Sequence, residues 1–265
     1  MLAVPGNAGS MISTVDRECR AADTSRRLGR RPTLPKRVVD YRELLRAGRW
    51  FRGLPQPFQD AIVSMSVLRD VRRGTVLFSR GDASHGMFGL LEGQLRASGT
   101  DDDGKVALLT VVEPPSWVGE IPLFDRLPRS HDLVAETRAL VVYVPQEPLL
   151  GLLEREPRYW RDLALLLTAK LRLAFTSIEA SQLLPVAERV THRLVLIAEG
   201  YGEWSDGSTR QVGVSQKTLA TMLSTSRQTV NEVLKGLEAK GYVRLEYGRV
   251  EILDLRGLRR ALTMA

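Results

Sequence analysis

The chain has 265 residues, of which 43% are hydrophobic and 26% charged, with a formal net charge of +7; that is enough chain for two ordinary cores in a soluble globular protein. Its one cysteine, Cys19, excludes an intramolecular disulfide, a Cys-rich zinc site and a four-cysteine iron–sulfur cluster. No apolar run reaches the roughly 18 residues of a membrane span, and the start lacks the charged-then-apolar pattern of a secretory signal, so a cytoplasmic protein with no membrane partner is expected.

The basic excess sits at the two ends. Residues 1–40 carry eight Lys/Arg against four Asp/Glu, residues 41–185 are balanced, and residues 186–265 carry twelve against nine. Basic ends favour phosphate contact. Residues 1–40 combine Gly, Ser, Ala and scattered Pro with Arg26-Arg27 and Arg30-Arg31, and read as a disordered basic tail.

Tyr41 to Arg49 reads as a short helix. Gly53 to Met65 reads as a second, with Leu54, Phe58, Ile62 and Met65 at helical intervals. The period then changes to two. Thr75–Phe78, Met87–Leu91, Gln94–Ala97, Val106–Val112, Leu133–Ala135 and Ala139–Val144 are apolar or alternating runs, separated by Arg80-Gly81-Asp82, Glu92-Gly93 and Asp101-Asp102-Asp103-Gly104. Many short strands with such turns predict an antiparallel β-barrel or jelly roll over 41–156. The triple Asp reads as an Asp-Gly hairpin turn. His85, His131 and His192 are too scattered to propose a metal site.

From Pro157 the helical period returns, and Arg158 to Leu184 contains neither Gly nor Pro. Trp160, Ala164, Leu167, Leu171, Ala174, Ile178 and Ser181 step by four and three in turn, a heptad seam suited to pairing with a second copy. Leu163, Leu166 and Leu173 lie on another face that can pack on the barrel. Residues 157–185 are therefore expected to form a dimerisation helix and hinge, ending at Pro185.

Residues 186–265 are expected to form a winged helix-turn-helix. Ser215 can cap a helix whose apolar side is Leu219, Ala220, Met222 and Leu223, and Ser226 can cap the next. That second helix has Val230, Val233, Leu234 and Leu237 on one side. Arg227, Gln228, Asn231 and Glu232 lie on the other, with donors and acceptors that match base edges in a major groove. Thr229 lies in its first turn, and Ser215 or Lys217 is placed to meet a phosphate. Tyr242–Glu246 and Val250–Leu253, joined through Tyr247-Gly248-Arg249, predict the β-hairpin of a wing.

Three motifs occur in one order: Arg73-Gly74-Thr75-Val76-Leu77-Phe78-Ser79-Arg80-Gly81-Asp82; Val118-Gly119-Glu120-Ile121-Pro122-Leu123-Phe124 through Pro128-Arg129-Ser130; and Leu219-Ala220 through Ser226-Arg227-Gln228-Thr229-Val230. From about Leu54 onward the chain resembles the family of bacterial transcription regulators that includes the cyclic-AMP receptor protein and the fumarate–nitrate regulator. The resemblance implies an α+β protein with an N-terminal cyclic-nucleotide-binding-like barrel, a dimerisation helix and a C-terminal winged helix-turn-helix. It implies that Glu120 accepts a ribose hydroxyl, Arg129 pairs with a cyclic phosphate and Ser130 donates to it, with Gly119 bringing backbone N–H groups close to the anion. Glu120 and Arg129 could instead form an internal ion pair that closes the loop without ligand. Where the cyclic-AMP receptor has a Thr-Ser pair facing adenine, an ungapped count places Ala174-Phe175 here, and His131-Asp132 follow Arg129-Ser130.

The resulting expectation is a homodimeric DNA-binding transcription regulator, not an enzyme, acting on inverted half-sites of double-stranded DNA with RNA polymerase as a further partner. No cofactor is certain; a cyclic nucleotide or another anionic small molecule is the candidate effector. Two alternatives stay open: a ligand-independent regulator whose barrel is only a dimerisation scaffold, and a cyclic-nucleotide-binding regulatory subunit of a signalling enzyme.

Overall fold

The computed structural model describes residues 37–100, 103, 106–202 and 211–263. The basic tail up to residue 36, the pairs Arg26-Arg27 and Arg30-Arg31, and most of the Asp-rich turn lie outside the described residues. The last residues of the expected 1–40 segment are structured: a 3-10 turn forms at Val38–Tyr41, and Val38 is buried in the first core.

Three short helices follow: α1 (Arg42–Ala47), α2 (Arg49–Gly53) and α3 (Gln56–Met65). The helix expected through Arg49 is divided at Gly48, which adopts extended backbone and lies against Pro115, where a Cβ would sit 3.0 Å from a carbonyl oxygen. In α3, Phe58 and Ile62 point inward at helical spacing.

Eight strands come next: β1 (Val67–Val71), β2 (Val76–Phe78), β3 (Gly86–Glu92), β4 (Leu95–Thr100), β5 (Val106–Val112), β6 (Ser116–Val118), β7 (Asp132–Ala135) and β8 (Ala139–Pro145), with a five-residue helix α4 (Ile121–Asp125) between β6 and β7. They make two four-stranded antiparallel sheets, ordered β1-β8-β3-β6 and β2-β7-β4-β5. This is a jelly roll of two facing sheets. β1 and β6 were not anticipated from the sequence.

The core between the sheets holds Phe78, Phe88, Leu90, Leu95, Val112, Val118, Leu133 and Val141. Alternate residues of the first sheet point the other way, and Met87, Leu91, Trp117, Val142 and Val144 pack under the helices. This double burial explains why β3 is buried at every position except its last.

An additional helix, α5 (Gln146–Arg155), precedes the long α6 (Tyr159–Leu183). The first turns of α6 belong to the first domain's core: Tyr159, Leu163 and Leu166 are at most 2% exposed. Phe58 stacks on Tyr159 with ring centroids 4.3 Å apart, and the Trp50 indole N–H donates to the Asp162 carbonyl at 2.8 Å. The barrel unit therefore extends past residue 156 into α6, because the apolar stripe of that helix is what closes the outer face of the sheet.

The C-terminal domain consists of α7 (Val186–Ala198), a 3-10 turn at Gly200–Gly202, β9 (Gln211–Val212), α8 (Gln216–Met222), α9 (Arg227–Ala239), β10 (Val243–Glu246), β11 (Arg249–Ile252) and α10 (Leu255–Thr263). Its sheet runs β10-β11-β9. Val190, Leu194, Leu219, Val230, Leu234, Val243 and Leu258 form its core, and Val111 of β5 is buried with them. Beside Val111, Glu113 accepts from the Gln94 amide at 2.7 Å and from the Gly213 N–H at 3.3 Å. Burial raises the Glu113 pKa, opposed by these two donors. The two domains are thus docked through β5 and through Gln94 and Glu113 beside it.

Replacing Phe58 by Ala removes both a filled core volume and the ring stack on α6. The expected cost is about 3–5 kcal/mol, read as a lower urea midpoint with an unchanged slope.

Candidate functional site

Two places concentrate chemistry. The first is a cavity of about 440 Å³ bounded by β5, β6, the Gly119–His131 segment, α6 and the start of the C-terminal domain. That size suits a small organic ligand. Its segment is shaped at Gly119, whose φ of +91° lies in the left-handed region and where a Cβ would sit 2.8 Å from the Arg129 guanidinium. Only glycine meets both demands there.

Arg129 is 5% exposed. One guanidinium nitrogen donates to the Gly119 carbonyl at 2.9 Å and another to the Gly86 carbonyl. The group lies 4.2 Å over the Phe78 ring, and its Nε has no partner. Burial lowers the Arg129 pKa, with the nearby Glu120 charge opposing; a guanidinium remains charged regardless.

Glu120 is 1% exposed. It does not pair with Arg129, contrary to the ligand-free ion pair that the sequence allowed. Its carboxylate accepts instead from Lys170 Nζ of α6 at 2.8 Å, and the same ammonium donates to the Trp117 carbonyl at 2.7 Å. A buried carboxylate needs such compensation.

Ser130 is exposed, and its hydroxyl lies 2.9 Å from His131 Nδ1. His131 edges onto Phe78. Its pKa lies below the ordinary 6.5, first because it is partly buried and then because Lys170 is near, with Glu120 opposing.

From α6, the cavity is lined by Ala169, Lys170, Leu173, Ala174 and Ser177. Ala174 is thus brought to the site, while Phe175 is not: it is 62% exposed and is not part of the lining. The reason is helical phase. Residues 163, 166, 170, 173 and 177 share the barrel-facing stripe, and 175 falls on the opposite side. The α6 wall therefore offers an ammonium and a hydroxyl, Lys170 and Ser177, where Ala174-Phe175 alone had implied no hydrogen-bonding side chain.

The opposite side of α6 carries Leu171, Phe175 and Ile178, each more than half exposed. They form an apolar stripe at i, i+4, i+7. The anticipated seam residues Trp160, Ala164 and Leu167 are half-buried.

The second place is the α8–α9 unit. Ser215 Oγ accepts from the Thr218 N–H at 3.1 Å, and Ser226 Oγ accepts from the Thr229 N–H at 3.0 Å. Both are N-caps, as the sequence indicates. The Thr229 hydroxyl lies 2.8 Å from Ser226 Oγ. Ser224, with φ 49°, makes the turn between the helices.

Val230, Leu234 and Leu237 are buried, leaving Arg227, Gln228, Glu232 and Lys235 exposed on the outer face of α9. Gln228 donates to Glu232 at 3.1 Å. Asn231 differs: it is half-buried and its Oδ1 is enclosed without a partner, so this acceptor is not presented outward with the others. Lys217 is exposed, and Ser215, Lys217 and Arg227 line one cleft with the wing residues Tyr247 and Arg249. Two capped helices joined by a tight turn, with a cationic shoulder and a β-hairpin beside the second, make the geometry of a winged helix-turn-helix. Among the described residues, no three His, Cys, Asp or Glu side chains converge to hold a metal ion, and no helix is long and apolar enough to cross a membrane.

Comparison with known proteins agrees with this division. Residues 68–156 match the cyclic nucleotide-binding domain, and residues 188–261 match the Crp-like helix-turn-helix domain. The chain is 27% identical to a CRP-like cAMP-activated global transcriptional regulator of Mycobacterium tuberculosis, over 82% of this chain and 97% of that protein. It is 29% identical to the cyclic AMP receptor protein of Thermus thermophilus, over 77% of this chain and 92% of the relative. The solved structure of a CRP/FNR-family transcriptional regulator, also from Thermus thermophilus, matches with a TM-score of 0.56 at 25% identity, covering 74% of this chain and 98% of that one.

The His131 environment gives a direct check. Lys170→Met removes a cation and leaves the Glu120 charge facing the ring, so the His131 pKa should rise toward or past 6.5, followed by NMR titration of the imidazole. In the parent, the lowered pKa means that the unfolded chain takes up a proton first as pH falls. The His131 contribution to stability is therefore present above pH 6.5 and lost as pH drops through the folded pKa.

Proposed function

The chain belongs to the Crp/Fnr family of transcription regulators, and from that premise we propose that it acts as a two-fold dimer on inverted DNA half-sites, under the control of an anionic ligand held in the barrel cavity. It is a DNA-binding regulator of transcription, not an enzyme. The observation that carries the ligand reading is a cavity in which Arg129 keeps an unpartnered Nε beside a second cation, Lys170. A guanidinium with a free donor and an ammonium nearby suit phosphate oxygens.

Relatives named as cAMP-activated support a cyclic nucleotide as the ligand class. Cyclic AMP itself fits less well. Lys170 already holds the carboxylate that would accept a ribose hydroxyl, and its charge favours a ligand bringing more than one negative charge. We therefore expect weak or absent response to cyclic AMP. The Glu120–Lys170 pair also satisfies the buried carboxylate without any ligand, and this favours the second reading, a barrel that serves only as a dimerisation scaffold. RNA polymerase is the further partner on this reading, and the cytoplasm its location.

In DNA binding, we assign Arg227 and Gln228 to base contacts, with Arg227 meeting a guanine through O6 and N7. Lys217 is assigned to a phosphate, and Glu232 to orienting Gln228. Ser215, Ser226 and Thr229 act through the helix caps that aim these side chains. The stripe of Leu171, Phe175 and Ile178 is the proposed pairing surface of α6, since aligned apolar residues left exposed on a long helix favour association with a twin. The proposed limits are a barrel unit from residue 37 into α6, the outer half of α6 to Pro185 as pairing helix and hinge, and 186–265 as the DNA-binding domain.

Three outcomes are expected. Arg227→Ala should weaken operator binding by about 1–3 kcal/mol and relax selectivity at one base pair; unchanged affinity and selectivity in a binding assay would move the reading surface elsewhere. Leu171→Glu should give a smaller sedimentation coefficient, and an intact dimer would place the interface off α6. Calorimetry with cyclic AMP, cyclic GMP and cyclic di-GMP should show cyclic AMP as a weak binder or none, with any binding abolished in Arg129→Ala. Tight cyclic-AMP binding that raises operator affinity and is lost in Arg129→Ala would reverse this order.

A further inference from the structure

The cavity is not closed by the barrel and α6 alone. Arg193 of α7 and Gly200-Tyr201 of the following turn also line it, and all three belong to the DNA-binding domain. Tyr201 is held there under constraint. It and Gly200 both adopt left-handed backbone, with φ of 53° and 56°. A non-glycine residue rarely takes that conformation unless its surroundings impose it. Tyr201 packs on the C-terminal core and is at the same time part of the cavity lining.

That hydroxyl is enclosed from solvent and has no hydrogen-bond partner. Thr110 and Arg193 are the polar groups beside it, and both oppose the effect of burial on its pKa. Burial raises the phenol pKa, so the group is a neutral donor. A buried donor without a partner carries a desolvation cost, which a ligand acceptor placed in the cavity would remove.

We infer that the DNA-binding domain senses the cavity's occupant directly: Tyr201 donates its hydroxyl to an acceptor on the ligand's polar edge, and Arg193 supplies a third cation at that end. This rests on the ligand reading proposed above and deepens it. The ligand would have an anionic group at Arg129 and a hydrogen-bond acceptor, such as a nucleobase carbonyl or ring nitrogen, at Tyr201. It would then touch both domains at once. Its occupancy would set the position of α7 without relying only on movement of α6.

The test uses full-length protein and Tyr201→Phe, with Arg193→Gln and Arg129→Ala alongside. Each is titrated with cyclic AMP, cyclic GMP and cyclic di-GMP, and hydrogen exchange of residues 193–201 is followed with and without nucleotide. Tyr201→Phe deletes an unpartnered hydroxyl, so the thermal midpoint of the ligand-free protein should stay or rise. Affinity for the nucleotide that binds the parent should fall about tenfold, and nucleotide-dependent protection of 193–201 should shrink. Arg193→Gln should weaken the same nucleotide. Binding abolished in Arg129→Ala but unchanged in Tyr201→Phe and Arg193→Gln would overturn this inference and leave the ligand reading standing. A fall in ligand-free stability in Tyr201→Phe with unchanged affinity would assign the hydroxyl a structural bond instead. No binding of any of the three nucleotides by the parent would overturn both.

Discussion

A buried carboxylate has to be answered by a cation, and in this protein that requirement ties the Gly119–His131 segment to the long helix. Glu120 is nearly inaccessible to water, and Lys170 reaches it from α6 at 2.8 Å. Lys170 is itself partly exposed, so its ammonium keeps some hydration while neutralising the carboxylate. Removing Lys170 would leave the carboxylate charge in a poorly hydrated place. The pair therefore fixes the height of α6 against β6 and the cavity. Any ligand that needs Glu120 must first displace Lys170, and any ligand that needs Lys170 competes with Glu120.

The rest of the molecule follows from where α6 is held. Its first turns are part of the barrel's outer core through Leu163 and Leu166. Its middle supplies a wall of the cavity, and its outer side carries the exposed Leu171–Phe175–Ile178 stripe. One rigid element thus meets the cavity, the proposed twin and, past Pro185, the DNA-binding domain. That domain also rests on β5 through Val111 and the Gln94–Glu113–Gly213 bonds. Such an arrangement has the parts of a two-state switch: a ligand that binds one docking of the domains better than another shifts the balance by that difference and by no more.

Much of this was legible in the sequence where a local rule applies. Ser215 and Ser226 read as caps because a side-chain oxygen before an apolar-periodic run has one strong use, and both accept the bonds expected of them. The alternating strands and the wing were likewise visible. β1 was missed because Val67–Val71 is an edge strand with Arg69 and Asp70 consecutive and exposed. β6 was missed because it has three residues and follows Pro114-Pro115. α5 hid behind Pro148 and Gly151, two residues that usually argue against a helix.

The cavity was only half legible. Gly119, Glu120, Arg129 and Ser130 lie in one motif, but Arg193 and Tyr201 reach the cavity by domain docking, which no local pattern encodes. Lys170 did leave a trace: it is a charge in the middle of the otherwise apolar stripe 163–166–170–173, where a cation calls for a buried partner. Phe175 lies outside this chain's own cavity because it falls on the opposite side of α6 from Lys170, Leu173 and Ser177.

The most direct measurement is a double-mutant cycle on Glu120→Gln and Lys170→Met, read by chemical denaturation of the ligand-free protein. If the pair holds the cavity segment to α6, each single change destabilises and the double change costs less than their sum, by about 0.5–3 kcal/mol of coupling. Strictly additive losses would show that the two charges do not support each other, and that α6 is positioned by its apolar stripe alone.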